Sequence, residues 1–334
     1  MRRLKKVEKN NGTHLGYVGE TGKGAYVVSA PFFNVLESGM RSLLCFLFVF
    51  FACTNFGLAE ETEYTEKMNR WHAKRLASLQ KPTGWLSLAG LFWLAEGENT
   101  VGSHATSDVI FPADMPAHFG LMTLQDGVVS FQAIKGVDVF FRGQAVEDIV
   151  LQTDATDDPT VLTSGTYQWY VIVRGGKYGI RLKNTAHPNR LTFKGIDRFK
   201  VDEAWRIKAK FEAYDPPQKI EIPNVLGTVS EEMCVGALRF EVGEKIYSLD
   251  PLGSFDDEAW FVIFSDETSG NETYGAGRFL SVSRPDSLGT TFIDFNKAYN
   301  PPCAFTEFAT CPLPPEQNKL SVRILAGEEA YGHH

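Results

Sequence analysis

The chain has 334 residues, of which 43% are hydrophobic and 22% charged, a composition typical of a globular protein with one large domain or two smaller ones. Its formal net charge of −8 argues against nucleic acid and anionic membrane surfaces as partners. Aromatic residues make up 13% of the chain, which favours strands and a substantial core.

The N-terminal part carries a pattern typical of a secretory signal peptide. One positive charge beside Met40 precedes an apolar run over 43–52, and small residues lead to an exit at Ala59. Ten apolar residues are too few for a membrane span, which needs about 20. We therefore expect translation to begin at Met40, residues 1–39 to be a misassigned extension, and the mature domain to cover 60–334.

This pattern predicts an exported protein, located in the periplasm, in the envelope or outside the cell, with no integral span after signal removal. One alternative is a cytoplasmic extension followed by a buried or membrane-anchoring segment. Another is a lipid anchor at Cys53, which the bulky residues before that cysteine disfavour. Loss of residues 1–59 would change the net charge to −12. The sequence does not indicate the oligomeric state.

One long helix and many short strands are predicted along the mature chain. Residues 61–80 place apolar side chains at helical spacing and stop before Pro82. From about residue 105, short β-branched or alternating runs are separated by Gly, Asn, Asp or Pro, and Gly175-Gly176 marks a tight hairpin. We therefore predict an all-β, mainly antiparallel domain, either a β-barrel or a two-sheet sandwich, with a short N-terminal helical segment.

Familiar catalytic motifs do not occur in the sequence. It contains no G-x-S-x-G, no H-E-x-x-H and no P-loop. The mature histidines do not form metal-binding pairs, apart from two at the extreme C-terminus. We expect neither a metal nor a cofactor.

The last third of the chain holds most of the candidate binding residues. Polar side chains follow one predicted strand, at 266–274, and occupy one face of another, "FIDFN". We expect a hairpin pairing of 276–283 with 290–297 to bring the two groups together. They would bind a small polar or amphipathic ligand, or form a satisfied buried network. These residues are Asp266, Thr268, Tyr274, Arg278, Asp294, Asn296 and Asn300.

The segment "AYNPPCAFTEFATCPLPPEQN" is too long and too rich in proline to be a regular element, so it must be pinned. A disulfide between Cys303 and Cys311 is the first interpretation, and would contribute roughly 2–3 kcal/mol. Two buried thiols and a catalytic Cys303 are the alternatives. Cys234 precedes an apolar strand, and we expect it to be a free, buried thiol.

Long blocks of this sequence resemble the signature motifs of the bacterial family called domain of unknown function 1684. They include "FSDETSGNETYGAGRFL", "IDFNKAYNPPCAFTEFATCPLPPEQNKL", "ILAGEEAY", "GWLSLAGLFWLAEGENTVGS" and "YGIRLKN…RLTFKGIDRF", between about residues 65 and 331. Asn184 stands where the family tends to have an aspartate. The resemblance implies a fold and a site location but no activity.

Three functions therefore remain open from the sequence. The first is an exported binding protein for a small ligand. The second is a hydrolase that uses Asp294 with Arg278, or Cys303 as a nucleophile. The third is a structural envelope protein in which the same polar residues only hold the long loop.

Overall fold

The computed structural model describes residues 63–332, and these fall within one compact unit. The predicted signal peptide and the predicted extension before it lie outside the described residues. A helix, α1, spans 63–79, close to the predicted 61–80, and buries Met68 and Leu79. No helix in the described part of the chain is long and apolar enough to cross a membrane.

Seventeen strands follow α1 in the described residues, with one further short α-helix, α2 (Pro188–Leu191), between β11 and β12. The strands are β1 (Leu88–Trp93), β2 (Gly97–Gly102), β3 (Val109–Ile110), β4 (Gly120–Gln125), β5 (Val128–Ala133), β6 (Phe140–Phe141), β7 (Gln144–Ala145), β8 (Asp148–Leu151), β9 (Leu162–Ser164), β10 (Tyr167–Arg174), β11 (Lys177–Asn184), β12 (Arg206–Pro223), β13 (Val229–Val242), β14 (Lys245–Leu249), β15 (Ala259–Phe264), β16 (Arg278–Ser283) and β17 (Thr290–Asp294).

Almost all strand pairs are antiparallel, which confirms the predicted fold class. Two sheets, ordered β1-β11-β10-β9-β6-β7 and β3-β2-β4-β5-β8, enclose the first apolar core. At its centre Trp169 packs edge-on against Phe119 and Phe131, with ring centroids 5.1 and 5.9 Å apart. The predicted tight hairpin at Gly175-Gly176 joins β10 to β11, and both glycines have positive φ.

The second half of the chain builds another core from two more sheets. The four-stranded sheet has the order β14-β13-β12-β17, and β15 pairs with β16 alone. Side chains of both sheets meet around Phe264 and Phe295, whose ring centroids are 5.5 Å apart. Smaller clusters link the two halves, and in one of them Leu88 of β1 packs with Ile222 and Ile263.

The pairing of β16 and β17 differs from the expected hairpin. The turn from Asp286 to Gly289 is present, but β17 pairs with β12 and β16 pairs with β15. Arg278 consequently lies opposite Phe264, and Asp294 lies opposite Arg206. The predicted pairing of 276–283 with 290–297, which would bring Arg278 within reach of Asp294 and Asn296, is therefore wrong. A turn reverses the direction of the chain, but it does not determine which strand each of its flanking strands pairs with. That partner depends on which sheet edge the strand reaches in the packed fold.

The alternating run "LSVRILAGE", residues 320–328, predicts a final strand, but the structure has no strand there. Residues 319–332 run along the second core without a regular ladder, held by single bridges such as Ser265 with Lys319 and Arg198 with Glu328. Main-chain groups of this segment instead bond to buried side chains. This C-terminal segment therefore supplies partners to the polar residues that the sequence singled out.

Candidate functional site

Arg278 forms a buried network with Asp266 at the end of β15. The Arg278 side chain is fully buried, and its Nη2 lies 3.2 Å from Asp266 Oδ1. The same guanidinium donates hydrogen bonds to the carbonyl oxygens of Ile324 and Ala326. Asp266 in turn accepts from the Ile324 amide and the Thr268 hydroxyl. These contacts stabilise the C-terminal segment, although Arg278 Nε has no hydrogen-bond partner among the described residues.

Thr268 belongs to the turn that this network supports. It is fully buried, and its hydroxyl lies 2.8 Å from the hydroxyl of Thr273 across the 268–273 turn. Gly277 comes just before Arg278 with φ of +87°, and a Cβ there would meet the Phe264 carbonyl oxygen at 2.5 Å. The 265–277 loop is therefore fixed at both ends by close packing.

Asp294 and Asn296 form a separate cluster with the helix α1. The Tyr64 hydroxyl donates to Asp294 Oδ1 at 2.8 Å, and Asn296 Nδ2 donates to the same carboxylate at 3.3 Å. Asn296 also bonds to both main-chain polar groups of Asp202. Burial, and then the Asp294 carboxylate, raise the pKa of Tyr64 above its ordinary value. This cluster attaches α1 to the end of β17.

Asn300 lies in a third cluster, together with Glu328. Its main-chain amide donates to Glu328 Oε2 at 2.7 Å, and its side-chain amide donates to the Glu329 carbonyl oxygen at 2.7 Å. Arg75 of α1 donates from Nε to Glu328 Oε1 at 3.2 Å and from Nη2 to the Asn300 carbonyl at 2.9 Å. Burial raises the pKa of Glu328, and the charge of Arg75 opposes that shift.

Cys303 and Cys311 are joined by a disulfide, as the first interpretation of the proline-rich segment predicted. Their Cα atoms are 6.1 Å apart, and the Cys311 carbonyl accepts from the Val225 amide at the β12–β13 turn. Cys234 is a free, buried thiol, and burial raises its pKa to about 11. Cys303 is therefore not available as a nucleophile in this state.

Apart from Tyr274, the six predicted ligand-binding residues thus lie in three separate packed clusters. They do not converge on one cavity: Arg278, Thr268 and Asn300 are fully buried, and Asp266, Asp294 and Asn296 are at most 8% exposed. Tyr274 is different, because it is only partly buried and lines a cavity. Most of the polar residues that the sequence predicted as ligand-binding therefore bond to other groups of the protein, although Arg278 Nε and Asn300 Oδ1 have no partner among the described residues.

The cavity beside Tyr274 has a volume of about 780 Å³, and we call it the acidic cavity. The 270–276 loop forms one wall, and residues around Glu329 form another. Its lining includes no lysine or arginine. Three carboxylate side chains line it: Asp197, Glu272 and Glu329.

The electrostatics of this cavity are dominated by Glu272 and Glu329. Oε1 of Glu272 contacts Arg323, whereas its buried Oε2 has no hydrogen-bond partner among the described residues. The Glu329 side chain has no cationic partner within 4 Å in the described part of the chain. Burial raises the pKa of Tyr274, so its hydroxyl is a neutral donor and acceptor at ordinary pH. The cavity can therefore accept hydrogen bonds from a positively charged group.

Sequence reasoning missed all three carboxylates of the acidic cavity. Glu272 and Glu329 both lie inside the quoted motifs "NETYGAG" and "ILAGEEAY", but neither stands on a predicted strand face. Asp197 lies in the motif "RLTFKGIDRF", directly after the run "RLTFKGI" that predicted a strand. Among residues 63–332, no group of three His, Cys, Asp or Glu side chains could hold a metal ion.

Comparisons with known proteins give a match to one family model over part of the chain, and no activity. Residues 191–329 match the family described as "Protein of unknown function (DUF1684)". An uncharacterized protein from gene locus rrnAC0354 of Haloarcula marismortui, solved by NMR in solution, is 29% identical over 42% of this chain and 78% of that chain, with a TM-score of 0.36. No curated protein is similar to this chain. The predicted resemblance is therefore confirmed over residues 191–329, the part of the chain that matches the DUF1684 family model.

Proposed function

We propose that this protein binds a small polar ligand carrying a positive charge, and that the acidic cavity is the binding site. The observation that carries this proposal is the lining: three carboxylates, Tyr274 and the main chain of a glycine-rich loop, with no basic side chain. A volume of about 780 Å³ is within the usual range for small-molecule sites.

Charge gives the proposed site its selectivity. A carboxylate next to a bound ammonium group makes charge-assisted hydrogen bonds, which are about twice as strong as neutral ones. A cationic ligand would be attracted by the three carboxylates that line the cavity, whereas an anionic ligand would be repelled.

Three sugars of nearly the same shape test this proposal: glucosamine is cationic, glucose neutral and glucuronate anionic. We expect NMR titration of the full chain to shift the amides of the 270–276 loop with glucosamine. Glucose should bind at least about tenfold more weakly, since it lacks the charge-assisted bonds. Glucuronate should not bind.

Glu329→Gln is the variant of choice, because it removes one carboxylate and keeps the side-chain shape. We expect it to weaken glucosamine binding about tenfold. Glu244→Gln, in the exposed turn between β13 and β14, is the matched control and should leave binding unchanged. Equal binding of glucosamine and glucose, or no effect of Glu329→Gln, would contradict the proposed site.

We also propose that the protein acts outside the cytoplasm, after removal of residues 1–59. The signal-like run over 43–52 supports this, and a disulfide is the covalent bond expected in an oxidising compartment. The test is the intact mass of protein isolated from its native cell. A chain starting near Glu60 is expected, and a chain that starts at Met1 would refute the proposal.

A further inference from the structure

A second cavity lies between α1 and the body of the domain, and we call it the aromatic cavity. Its volume is about 430 Å³, and it shares no lining residue with the acidic cavity. Five of its eight lining residues are aromatic, two are cationic and one is proline: Trp71, Lys74, Arg75, Trp85, Phe261, Phe279, Tyr299 and Pro302. No acidic side chain is among them.

The aromatic wall is rigid because its members pack against a buried cluster. Phe279 packs edge-on against Phe261 and Tyr299, with ring centroids 4.9 and 5.8 Å apart. Phe279 and Tyr299 also exchange main-chain hydrogen bonds, so the strand β16 fixes the segment that carries Tyr299. Three rings are thus held in place without a ligand, which reduces the entropy lost on binding.

Arg75 is held over the face of the Tyr299 ring. Its guanidinium carbon lies 4.7 Å from the centroid of the Tyr299 ring. The hydrogen bonds of Nε to Glu328 and of Nη2 to Asn300 fix its position, while Nη1 has no acceptor among the described residues. An arginine carries five N–H donors, so this group keeps donors available for a ligand.

Lys74 is the second cation, and it has no carboxylate within 4 Å in the described part of the chain. The charge of Arg75 is balanced by Glu328, whereas that of Lys74 is not. The cavity therefore combines an apolar aromatic body with an unbalanced positive charge at its helix side.

We propose that the aromatic cavity is a second binding site, and that it takes a small amphipathic anion with a flat apolar body and one carboxylate. The apolar body would replace water against the aromatic side chains. The carboxylate would accept hydrogen bonds from Lys74 and from Arg75, whose planar guanidinium suits that geometry. This site is independent of the acidic cavity, which selects the opposite charge.

Isothermal titration of the full chain with 2-naphthoate tests the proposal, with 2-naphthylmethanol as a neutral analogue of the same ring. We expect 2-naphthoate to bind with one site, and the alcohol to bind at least about fivefold more weakly. Failure of 2-naphthoate to bind, or equal affinity for the alcohol, overturns the proposal. Neither result bears on glucosamine binding in the acidic cavity.

Two variants on α1 locate the site. Lys74→Gln should weaken 2-naphthoate binding about fivefold and leave binding of the alcohol unchanged. Trp71→Leu should weaken binding of both about tenfold, because it removes an aromatic wall. Lys67→Gln, at another exposed lysine of the same helix, is the control and should have no effect. Unchanged affinity in both Lys74→Gln and Trp71→Leu places the ligand elsewhere and overturns the assignment.

Discussion

The guanidinium of Arg278 lies in the interior, bonded to Asp266 and to two carbonyl groups of the C-terminal segment. Replacement by alanine would strand the Asp266 carboxylate and two carbonyls away from water. We expect Arg278→Ala to lower the free energy of unfolding by about 3–5 kcal/mol, measured by urea denaturation. Lys219→Ala, at an exposed ion pair with Glu231, should cost less than about 1 kcal/mol. Similar losses in the two variants would show that Arg278 is not a structural residue.

Tyr167 makes the stability of the domain depend on pH in the alkaline range. Its hydroxyl donates to Asp114 Oδ1 at 2.7 Å, and burial followed by this carboxylate raises its pKa to about 12. Because this pKa is above the ordinary value of 10.0, the folded state binds the phenolic proton more tightly than the unfolded chain does. The contribution to stability is therefore fully present below pH 10 and is lost as pH rises towards about 12.

Tyr167→Phe isolates that contribution. The variant should lose about 1 kcal/mol at neutral pH, where the hydrogen bond is intact in the wild type. The difference between variant and wild type should shrink as pH rises through the pKa of Tyr167, in urea titrations at a series of pH values. Tyr170→Phe, on the opposite face of β10, is the control. A difference that stays constant with pH would contradict the raised pKa.

Arg75 is one of the residues that attach the helix α1 to the domain. Its partner Glu328 is only 1% exposed, so removal of the cation would leave a buried carboxylate unpaired. We expect Arg75→Met to lower the free energy of unfolding by about 3 kcal/mol. Arg70→Met is a matched control on the same helix, because Arg70 pairs with Glu66 on the exposed face. It should cost less than about 0.5 kcal/mol, and equal effects would show that α1 is held by other contacts.

Local elements could be predicted from the sequence where the pattern itself is local. The apolar spacing over 61–80 predicted α1, and Gly175-Gly176 predicted the β10–β11 hairpin. Segment 320–328 alternates like a strand but has none, because its main-chain groups bond to Asp266 and Arg278 instead of to a neighbouring strand. An alternating pattern of apolar and polar residues indicates which side chains are buried. Pairing in a β-sheet is only one of the ways in which a segment can bury them.

At the scale of the whole molecule, long-range pairing could not be predicted. The β12–β17 pairing joins strands about 80 residues apart in the sequence. No local sequence pattern in either strand indicates which strand it pairs with. The same limit explains why Arg278 was assigned to Asp294. It also explains why the acidic cavity was missed, since its carboxylates come from three separate segments.

Two cores and the clusters that link them predict cooperative unfolding of the described unit. Val129 is fully buried in the first core and Val262 in the second. Because Leu88 and Leu86 of the first half pack into clusters with the second half, we expect Val129→Ala and Val262→Ala to shift one common transition. Each should cost about 2 kcal/mol. Calorimetry should give one peak, and a variant that splits it would indicate two separately folding parts.

The attachment of α1 to Glu328 and Asn300 has a consequence for biosynthesis. The ribosome makes this helix before the strands of the described unit, whereas its two partners follow all of those strands in the chain. The β1–β11 strands can pair with one another during translation, since they are contiguous in the chain. Leu79 can pack against Leu86 and Phe193 once these are made, but Arg75 has no carboxylate partner until Glu328 follows. Until then the helix is only partly attached, and its apolar side chains are a surface on which a chaperone would act during synthesis.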